Sequence, residues 1–430
     1  MKFSRFIVKY RIPVLILSIV LLVPSVLGMM NTHINYDMLT YLPEDMETVE
    51  GQNILLDTFG KGAFSFLIVD GMEPKDVAAL QAEIETVDHI DSVIWYDDFA
   101  DLSVPLEILP EKVYQAFNTD GETLLAIFFD TTTSEDATID AIREIRSMTG
   151  KQCYLSGLSA LVTDLKALCE KQEPVYVAVA VLCACAAMMV FLDSWLVPFI
   201  FLLSIGIAIL YNMGSNYFLG EISYITKALA AVLQLAVTMD YSIFLWHSYT
   251  EEKERVSDKK EAMAKAISST LTAVSGSSLT TVAGFLAMCF MTYTMGTDLG
   301  IVMAKGVLLG VLCSITVLPA MILCLDKSLE RTKHKPLIRR MDKFASFVTR
   351  HAWVFIVVFV LLAVPAWYGY NHTELSYDFT SVFTGDNAGF DPDDVQFLTA
   401  AEKLADDFGV SSTHMILCDA DMPSADASAM

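Results

Sequence analysis

The stretch Leu235-Ala-Val-Thr-Met-Asp240-Tyr241-Ser-Ile-Phe-Leu245 places a carboxyl and a phenol inside an otherwise apolar run. The run extends from about 222 to 247 and predicts one membrane-spanning helix, since roughly 20 apolar residues cross a bilayer. Asp240 precedes the next acidic residue, Glu251, by eleven positions. At about 1.5 Å per residue this places its carboxyl roughly 16 Å inside the membrane. A charged carboxylate there costs at least about 2.5 kcal/mol, so we expect Asp240 to have a function.

The composition of the whole chain indicates a membrane protein. Of its 430 residues 54% are hydrophobic, and its mean hydropathy is +0.48, which argues against a soluble globular protein. The net charge of -24 disfavours a nucleic-acid partner, and most of it lies between residues 31 and 173, where 28 acidic residues stand against 8 basic ones. Basic residues instead cluster beside apolar runs, at 2–11 and 327–343. By the positive-inside rule these clusters are cytoplasmic and the acidic segment is external.

An internal repeat relates the two apolar segments that accompany the basic clusters. A shift of 341 positions pairs eight identical residues: Lys2 with Lys343, Phe3 with Phe344, Phe6 with Phe347, Pro24 with Pro365, Gly28 with Gly369, Thr32 with Thr373, Tyr36 with Tyr377 and Asp37 with Asp378. A cleaved signal peptide would have no such copy, so we predict membrane helices within residues 1–30 and at 351–371. Residues 372–430 then begin a second external domain, and the second repeat is expected to be truncated.

The first external domain, residues 31–173, is predicted to be of α+β type. Short apolar runs rich in Phe and Ile predict strands, and apolar residues at helical spacing behind Pro or Ser predict helices. The elements form two strand–helix–strand units in series, namely 63–70, 74–87 and 92–96, followed by 124–130, 134–148 and 152–155. This order predicts a ferredoxin-like porter domain.

Residues 174–325 are predicted to form a bundle of five membrane helices. The apolar spans are 174–192, 196–217, 222–247, 264–291 and 299–325. Together with the first helix they make six, an even number, so the repeat begins again on the same side of the membrane. Residues 326–350 are then a basic cytoplasmic linker to the seventh helix. The fold class is therefore a polytopic α-helical membrane protein with a tandem repeat.

The chemistry expected of Asp240 is proton transfer. Desolvation favours the protonated form of a carboxyl, so Asp240 could take up and release protons, and the Tyr241 hydroxyl could hydrogen-bond either form. The alternative is a structural ion pair with Lys227 or Lys305. Their positions along their helices place both lysines nearer the outer surface, where we expect their side chains to snorkel into the interface. We therefore favour a proton relay over an ion pair.

Three further polar residues are weaker candidates for supporting a proton path. Ser275 and Ser278 lie in a run of small hydroxyl residues, which in membrane helices more often serves close helix packing. His247 follows Asp240 by seven positions, on the same helix face and nearer the cytoplasm. It could relay protons to the inner surface, although an interfacial histidine without a role is the commoner case.

Three motifs carry a family resemblance. Ala236-Val-Thr-Met-Asp240-Tyr241-Ser-Ile-Phe-Leu245, followed by Glu251-Glu252, resembles the fourth-helix motif of the MMPL branch of the resistance–nodulation–division superfamily. Ser275-Gly276 with Leu279-Thr-Thr-Val-Ala-Gly284 resembles that family's fifth helix, and Ser314-Ile-Thr-Val-Leu-Pro-Ala320 the end of its sixth. The five-helix block also resembles the sterol-sensing domain of Patched-like proteins. The order of one helix, an external domain, five helices and a repeat covers the whole chain.

The resemblance implies a proton-motive-force-driven exporter of lipids or other hydrophobic, amphiphilic compounds in the cell (plasma) membrane. It implies no enzymatic activity, no cofactor and no metal, with protons, membrane lipids and a hydrophobic cargo as partners. In that family Asp–Tyr pairs on the fourth and tenth helices relay protons. Asp240 and Tyr241 match the first pair, and the second would lie beyond residue 430. Family members occur as monomers and trimers, so a homo-oligomer is among the expectations.

Two other functions fit parts of the sequence. A SecDF-like helper of protein translocation shares the superfamily and the use of protons. A sterol-sensing-like membrane regulator would need no proton flux, and an Asp240→Asn change would leave it active. We do not expect transport to be driven by ATP, because the sequence has no glycine-rich phosphate-binding loop that ends in Lys-Ser or Lys-Thr. The cysteines show no metal-ligand spacing.

Overall fold

The computed structural model describes residues 1–98, 111–119, 121–334, 342–373 and 396–410. Within these residues seven helices are long and apolar enough to span a membrane, and the protein is a multi-pass membrane protein. The chain begins with α1 (Lys2–Lys9) and α2 (Arg11–Asn31), the first spanning helix. Basic residues on α1 and at the start of α2 lie where the positive-inside rule expects a cytoplasmic terminus.

The domain that we predict to be external follows α2, and we refer to it as the external domain. Its elements are β1 (His33–Asn35), α3 (Glu47–Phe59), β2 (Ala63–Asp70), α4 (Pro74–Ile84), β3 (Ile90–Ile94), α5 (Glu111–Phe117), β4 (Asn118–Thr119), β5 (Glu122–Phe129), α6 (Asp136–Met148) and β6 (Cys153–Ser156). Pro74 opens α4, where its missing N–H removes no helix hydrogen bond. The strands and helices predicted between 63 and 155 coincide with observed elements to within a few residues.

One antiparallel sheet forms the core of this domain. Its strand order is β3-β5-β2-β6, with the short β4 paired to β5. Strands β2 and β5 pair along their whole lengths, from Ala63 opposite Phe129 to Asp70 opposite Glu122. Helices α4 and α6 bury apolar residues against the sheet, and the shared core contains Leu67, Val69, Ile84, Ile127, Phe129 and Ile142.

The membrane bundle follows. Its elements are α7 (Leu158–Phe191), α8 (Val197–Ser215), β7 (Glu221–Ser223), α9 (Tyr224–Arg255), α10 (Lys259–Ala287) and α11 (Met295–Arg331). Helix α9 continues past the predicted end of its apolar span at 247, and α11 continues past 325. The added turns are rich in Glu, Lys and Arg, which are good helix formers that need no burial.

Helix α7 runs through the position where we predicted the boundary between the external domain and the membrane. It begins at Leu158 and contains Pro174 as an interior residue. The apolar span predicted at 174–192 therefore forms the second part of a longer helix. A proline often marks the first turn of a helix, but the preceding residues 158–173 also form helix and continue directly into the apolar span. One continuous helix thus connects the external domain to the membrane.

Helix α2 is held against α8 by a contact between backbones. A Cβ atom on Gly28 would lie 2.2 Å from the carbonyl oxygen of Gly214, and one on Gly214 would lie 2.1 Å from that of Ser25. Small residues allow such close approach of membrane helices. Just outside this contact, β1 pairs in parallel with β7, His33 opposite Glu221 and Asn35 opposite Ser223. The start of the external domain is thereby tied to the start of α9.

The predicted second repeat is described only in part. Its helices are α12 (Asp342–Arg350), the spanning helix α13 (Ala352–His372) and α14 (Gln396–Asp406). Helix α14 packs Phe397 and Leu404 against the first external domain, and Lys403 there pairs with Glu122. The linker predicted at 326–350 lies outside the described residues at 335–341, and the second external domain at 374–395 and 411–430.

Candidate functional site

Asp240 lies on a face of α9 that no other described helix covers. Its side chain is exposed, as are those of Ala236 and Phe244, one turn away on either side. Among the described residues Asp240 has no hydrogen-bond partner and no ion-pair partner. The carboxyl is therefore available to a group outside the described part of the chain.

The side chain of Tyr241 points in a different direction from that of Asp240. Its side chain is 4% exposed and belongs to an apolar cluster with Val274 and Val282 of α10 and Val307 of α11. Consecutive helix residues are about 100° apart around the axis, which accounts for the divergence. The described structure shows no hydrogen bond between the Tyr241 hydroxyl and Asp240.

The two predicted serines lie on different faces of α10. Ser278 is buried and lies one turn from both Val274 and Val282, so it shares the α10 face that contacts Tyr241. Ser275 is exposed, and its hydroxyl donates to the carbonyl of Leu271. The Ser278 hydroxyl donates to the carbonyl of Ser275 at 3.3 Å. Both hydroxyls thus bond to the backbone of their own helix, and only Ser278 lies beside Tyr241.

His247 is exposed on the same face of α9 as Asp240. At about 1.5 Å per residue the two residues are roughly 10 Å apart along the helix axis. This separation is too long for a direct hydrogen bond between the two side chains. A proton that passes between them would therefore need an intervening group.

The two lysines considered as partners of Asp240 are engaged elsewhere. Lys227 Nζ lies 3.1 Å from Glu173 Oε2 on α7. Lys305 donates to Asn216 Oδ1, and Asn216 is fully buried at the outer end of α8. The expectation that Lys305 snorkels into the lipid interface was therefore wrong. Its ammonium lies inside the bundle because Asn216, from another helix, supplies an acceptor there.

A buried polar seam crosses the bundle behind Asp240, and our sequence analysis did not identify it. Asn212 Nδ2 donates to Gln234 Oε1 at 3.0 Å, and Gln234 Nε2 donates to the carbonyl of Gly306 at 3.1 Å. A Cβ on Gly310 would lie 2.5 Å from Thr238 Oγ1. The signal was present in the sequence, since amides inside apolar runs are costly in a membrane and so mark packing or function.

Ion pairs fix the end of these helices that we predict to be cytoplasmic, and we refer to it as the cytoplasmic end. Asp326 of α11 pairs with Lys253 of α9 at 2.9 Å and with Lys259 of α10. Glu330 lies 2.9 Å and 3.0 Å from the same two ammonium groups. The Tyr249 hydroxyl donates to Asp326 Oδ1 at 3.1 Å. Three helices therefore meet at one charged cluster.

The outer end of the bundle is tied to the external domain through α11. Asp298 Oδ2 accepts from Ser223 N at 2.8 Å and from Thr226 Oγ1 at 2.6 Å. The backbone N–H of Thr294 donates to the carbonyl of Tyr41 at 3.0 Å. Helices α9 and α11 are thus held at both ends. Between these ends, the face of α9 that carries Asp240 remains uncovered by any described helix. Within the described residues no group of His, Cys, Asp and Glu side chains could hold a metal ion.

Within the described part of the chain, seven helices apolar enough to span a membrane accompany an α/β domain, and together they define a multi-pass membrane protein. The model of the MMPL family matches residues 118–359. The chain therefore belongs to the MMPL family, as its helix motifs indicated.

Individual relatives match parts of the chain. A putative membrane protein of Methanocaldococcus jannaschii is 33% identical over 140 residues, which are 33% of this chain and 35% of that protein. The siderophore exporter MmpL5 of Mycobacterium tuberculosis is 25% identical over 54% of this chain and 25% of its own length. Membrane protein YdgH of Bacillus subtilis is 23% identical over 86% of this chain and 41% of its own. The chain thus spans between a quarter and two fifths of these relatives.

Among solved structures the chain is similar to SecDF in its super-membrane-facing form. The sequence identity is 13% and the TM-score is 0.39, and the match covers 75% of this chain and 39% of that chain.

Proposed function

We propose that this chain is part of a proton-motive-force-driven exporter that moves lipids or other hydrophobic, amphiphilic compounds across the plasma membrane. The observation that carries the proposal is the Asp240 carboxyl, which lies unpaired on an uncovered face of a spanning helix in the described structure. The relative MmpL5, named as a siderophore exporter, supports export as the activity of the whole protein. The chain itself has no catalytic role in the proposal, and no cofactor.

The proposed cycle alternates the charge on Asp240. When the carboxyl is protonated it is neutral and costs little in the membrane, whereas its ionised form needs a hydrogen-bonding or cationic neighbour. A second Asp–Tyr pair, on a helix that covers the open face of α9, would supply that neighbour. Tyr241 and Ser278 would then hold the α10 side of α9 in place while Asp240 exchanges its proton, and His247 would pass protons toward the cytoplasm.

We further infer that the external domain is a ferredoxin-like porter domain and that α12 and α13 begin a second repeat. The succession β2-α4-β3-β5-α6-β6 and the strand order β3-β5-β2-β6 support the first inference. The second is supported by the shared pattern of a short helix followed by a 21-residue helix with an interior proline, Pro24 in α2 and Pro365 in α13.

Carbodiimide labelling of Asp240 tests the proton relay. Carbodiimides modify protonated carboxyls in apolar surroundings, so the full chain in proteoliposomes should be labelled at Asp240 at low pH and progressively less as the pH rises. Mass spectrometry of the peptide reads the result. Asp240→Asn removes the label, and Asp240→Glu keeps it. Asp326 serves as the internal control, because its carboxylate is paired with Lys253 and Lys259.

The opposite outcome is equally informative. If folded protein shows no labelling of Asp240 at any pH, the carboxyl is inaccessible or paired, and the proton relay is refuted. A membrane regulator without proton flux would then be the better assignment.

A further inference from the structure

Three sulfur-bearing side chains lie within four positions of one another where α10 leads into α11. They belong to Met288, Cys289 and Met291, and we call them the sulfur cluster. The segment begins with one 3₁₀ turn, Met288–Phe290, directly after the end of α10. It lies at the end of the bundle that we predict to be external. No member of the sulfur cluster belongs to the proposed proton relay.

Two glycines of α11 make room for the sulfur cluster. A Cβ atom on Gly296 would lie 2.9 Å from Met291 Sδ, and one on Gly300 would lie 3.0 Å from Cys289 Sγ. Both distances are shorter than an ordinary van der Waals contact. Residues four positions apart share one face of a helix, about one turn from each other. The two sulfur atoms therefore lie against one turn of α11, in a recess that alanine side chains would fill.

The protein makes little use of these sulfur atoms for its own structure. The Cys289 thiol is half-buried and forms no disulfide, and it donates to the carbonyl of Thr297 only at 4.0 Å. The Met291 side chain is 51% exposed, so a small ion can reach it. Met288 Cβ lies 3.4 Å from the Cβ position of Gly300. Since methionine has three rotatable side-chain bonds, its sulfur can turn toward the same recess.

The chemistry of the sulfur cluster is that of a soft metal ligand. Thiolate and thioether sulfur favour Cu(I), whereas Mg²⁺ and Ca²⁺ take oxygen ligands. Zn²⁺ is held by several thiolates, imidazoles or carboxylates, and no such group exists among the described residues. A Cu(I) ion that binds Cys289 Sγ replaces the thiol proton, which passes to solvent. One thiolate with neutral thioethers therefore fits Cu(I) better than it fits the divalent ions.

We propose that Cys289 and Met291 bind Cu(I), with Met288 as a third ligand. The same segment continues to Thr294, whose backbone N–H donates to the carbonyl of Tyr41. The bound ion would therefore hold the segment against α11 and strengthen the contact between the bundle and the external domain. Binding needs no proton transfer by Asp240, so the inference goes beyond the proposed export and does not depend on it.

Transfer of Cu(I) from a coloured chelator tests this site. The full chain is purified in detergent as a variant that keeps Cys289 as its single cysteine, with alanine at the other cysteine positions. It is titrated without oxygen against the Cu(I) complex of bathocuproine disulfonate, whose colour fades as the metal passes to the protein. We expect one Cu(I) per chain and the release of one proton. Met291→Leu should lower the affinity about tenfold, because one sulfur ligand is lost.

Two matched variants separate the sulfur cluster from a thiol or a methionine elsewhere. The first keeps Cys169 as its single cysteine, a half-buried thiol with no methionine within four positions in the chain. It should bind Cu(I) about a hundredfold more weakly than the Cys289 variant. The second adds Met46→Leu to the Cys289 variant, at a side chain of the external domain that is 42% exposed. It should leave the affinity unchanged.

Either of two results would overturn the proposal. Equal affinity in the Cys289 and Cys169 variants would mean that any thiol is sufficient, and unchanged affinity in Met291→Leu would mean that the thioether is no ligand. Leucine conserves the volume of methionine, and the side chain of Met291 is half exposed. We therefore expect Met291→Leu to fold, and an unchanged midpoint of thermal unfolding without metal checks this.

Two further measurements identify the metal class and the independence of the site. Excess Zn²⁺ should not displace Cu(I), because thioether sulfur is not among the usual ligands of zinc. Displacement would show a general thiolate site, and the Cu(I) assignment would be wrong. Asp240→Asn should abolish carbodiimide labelling and leave Cu(I) binding intact. Failure of the export proposal and failure of the metal site would therefore be seen in different measurements.

Discussion

Asp240 and Tyr241 are neighbours in the chain but meet different surroundings on α9. The tyrosine is packed between α10 and α11, which fixes the rotation of α9 about its own axis. That rotation turns the preceding side chain, Asp240, onto the open face. A buried aromatic ring thus positions a carboxyl that has no contact of its own, and the charge remains available to an incoming helix.

The ion pair between Asp136 of α6 and Lys166 of α7 should make the free energy of unfolding depend on pH. The hydrogen bond from Lys166 holds the pKa of the Asp136 carboxyl below its usual range. Because the folded value is depressed, the stabilisation is present above the unfolded pKa and is lost as the pH falls through the folded one. The expected contribution is at most about 1 kcal/mol, since Asp136 is largely exposed.

Thermal unfolding between pH 7 and pH 3 measures this effect. Asp136→Asn should lower the midpoint slightly at neutral pH, and the difference from the unmodified protein should shrink as the pH falls below about 4 and disappear only below the folded pKa of Asp136. Asp88→Asn is the matched control, because exposed Asp88 has no ion pair among the described residues. A difference that persists unchanged at pH 3 would mean that the pair contributes nothing.

Single residues also show where prediction from sequence reaches its limit. The depth of Asp240 remains a prediction from the length of an apolar run, because the bilayer sets that length. The position of Lys305 did not follow, since its acceptor, Asn216, belongs to a different helix 89 positions away. The direction of Tyr241 likewise depends on which helices pack around α9. Local spacing determines how deep a residue lies, and tertiary packing determines what it touches.

At the level of helices and strands, apolar periodicity identified the elements but not where they stop. The strands and helices of the external domain could be predicted because apolar residues recur at every second position in a strand and about every 3.6 positions in a helix. These two patterns differ even over short segments. Helix α7 was predicted too short, because its first sixteen residues carry charges and lack a continuous apolar run. They form helix through contact with the external domain, where Ala160, Val162 and Leu168 are buried. The sequence did carry a signal for this segment, since Leu158, Leu161, Leu165 and Leu168 recur at helical spacing.

The contact of α2 with α8 gives a prediction with its control built into the internal repeat. Gly28→Ala should destabilise the protein by about 1–3 kcal/mol, since the new Cβ would lie 2.2 Å from the Gly214 carbonyl oxygen. The repeat pairs Gly28 with Gly369 of α13, and a Cβ there meets nothing within 4 Å. Gly369→Ala should be neutral or slightly stabilising, because alanine favours helix.

Thermal unfolding of both variants in one detergent makes the comparison. Equal midpoints would show that α2 and α8 separate at no cost, and would contradict the close backbone packing. A loss of stability in Gly369→Ala alone would show that α13 has a tight contact outside the described residues.

At the scale of the whole molecule, the charged clusters hold the bundle at its two ends and leave its middle open on one side. Asp326 joins α9, α10 and α11 at the cytoplasmic end, and Asp298 joins α11 to β7 at the outer end. The open side carries Asp240, and an ionised carboxylate facing lipid costs at least about 2.5 kcal/mol. Covering that side with protein removes the cost. We therefore propose that a second helical half or a second copy of the chain covers that side.

Disulfide cross-linking of the purified chain tests whether copies meet on that side. In a cysteine-free background, Phe244→Cys places a thiol one turn from Asp240, at a side chain that is 58% exposed. The control is Leu203→Cys on α8, where the side chain is 59% exposed and lies on a different helix of the bundle. If copies pair through the face of Asp240, oxidation should give a covalent dimer with the first variant and leave the second monomeric. Equal cross-linking of both variants would show random collision, and a monomer in both would show that the covering helices come from elsewhere.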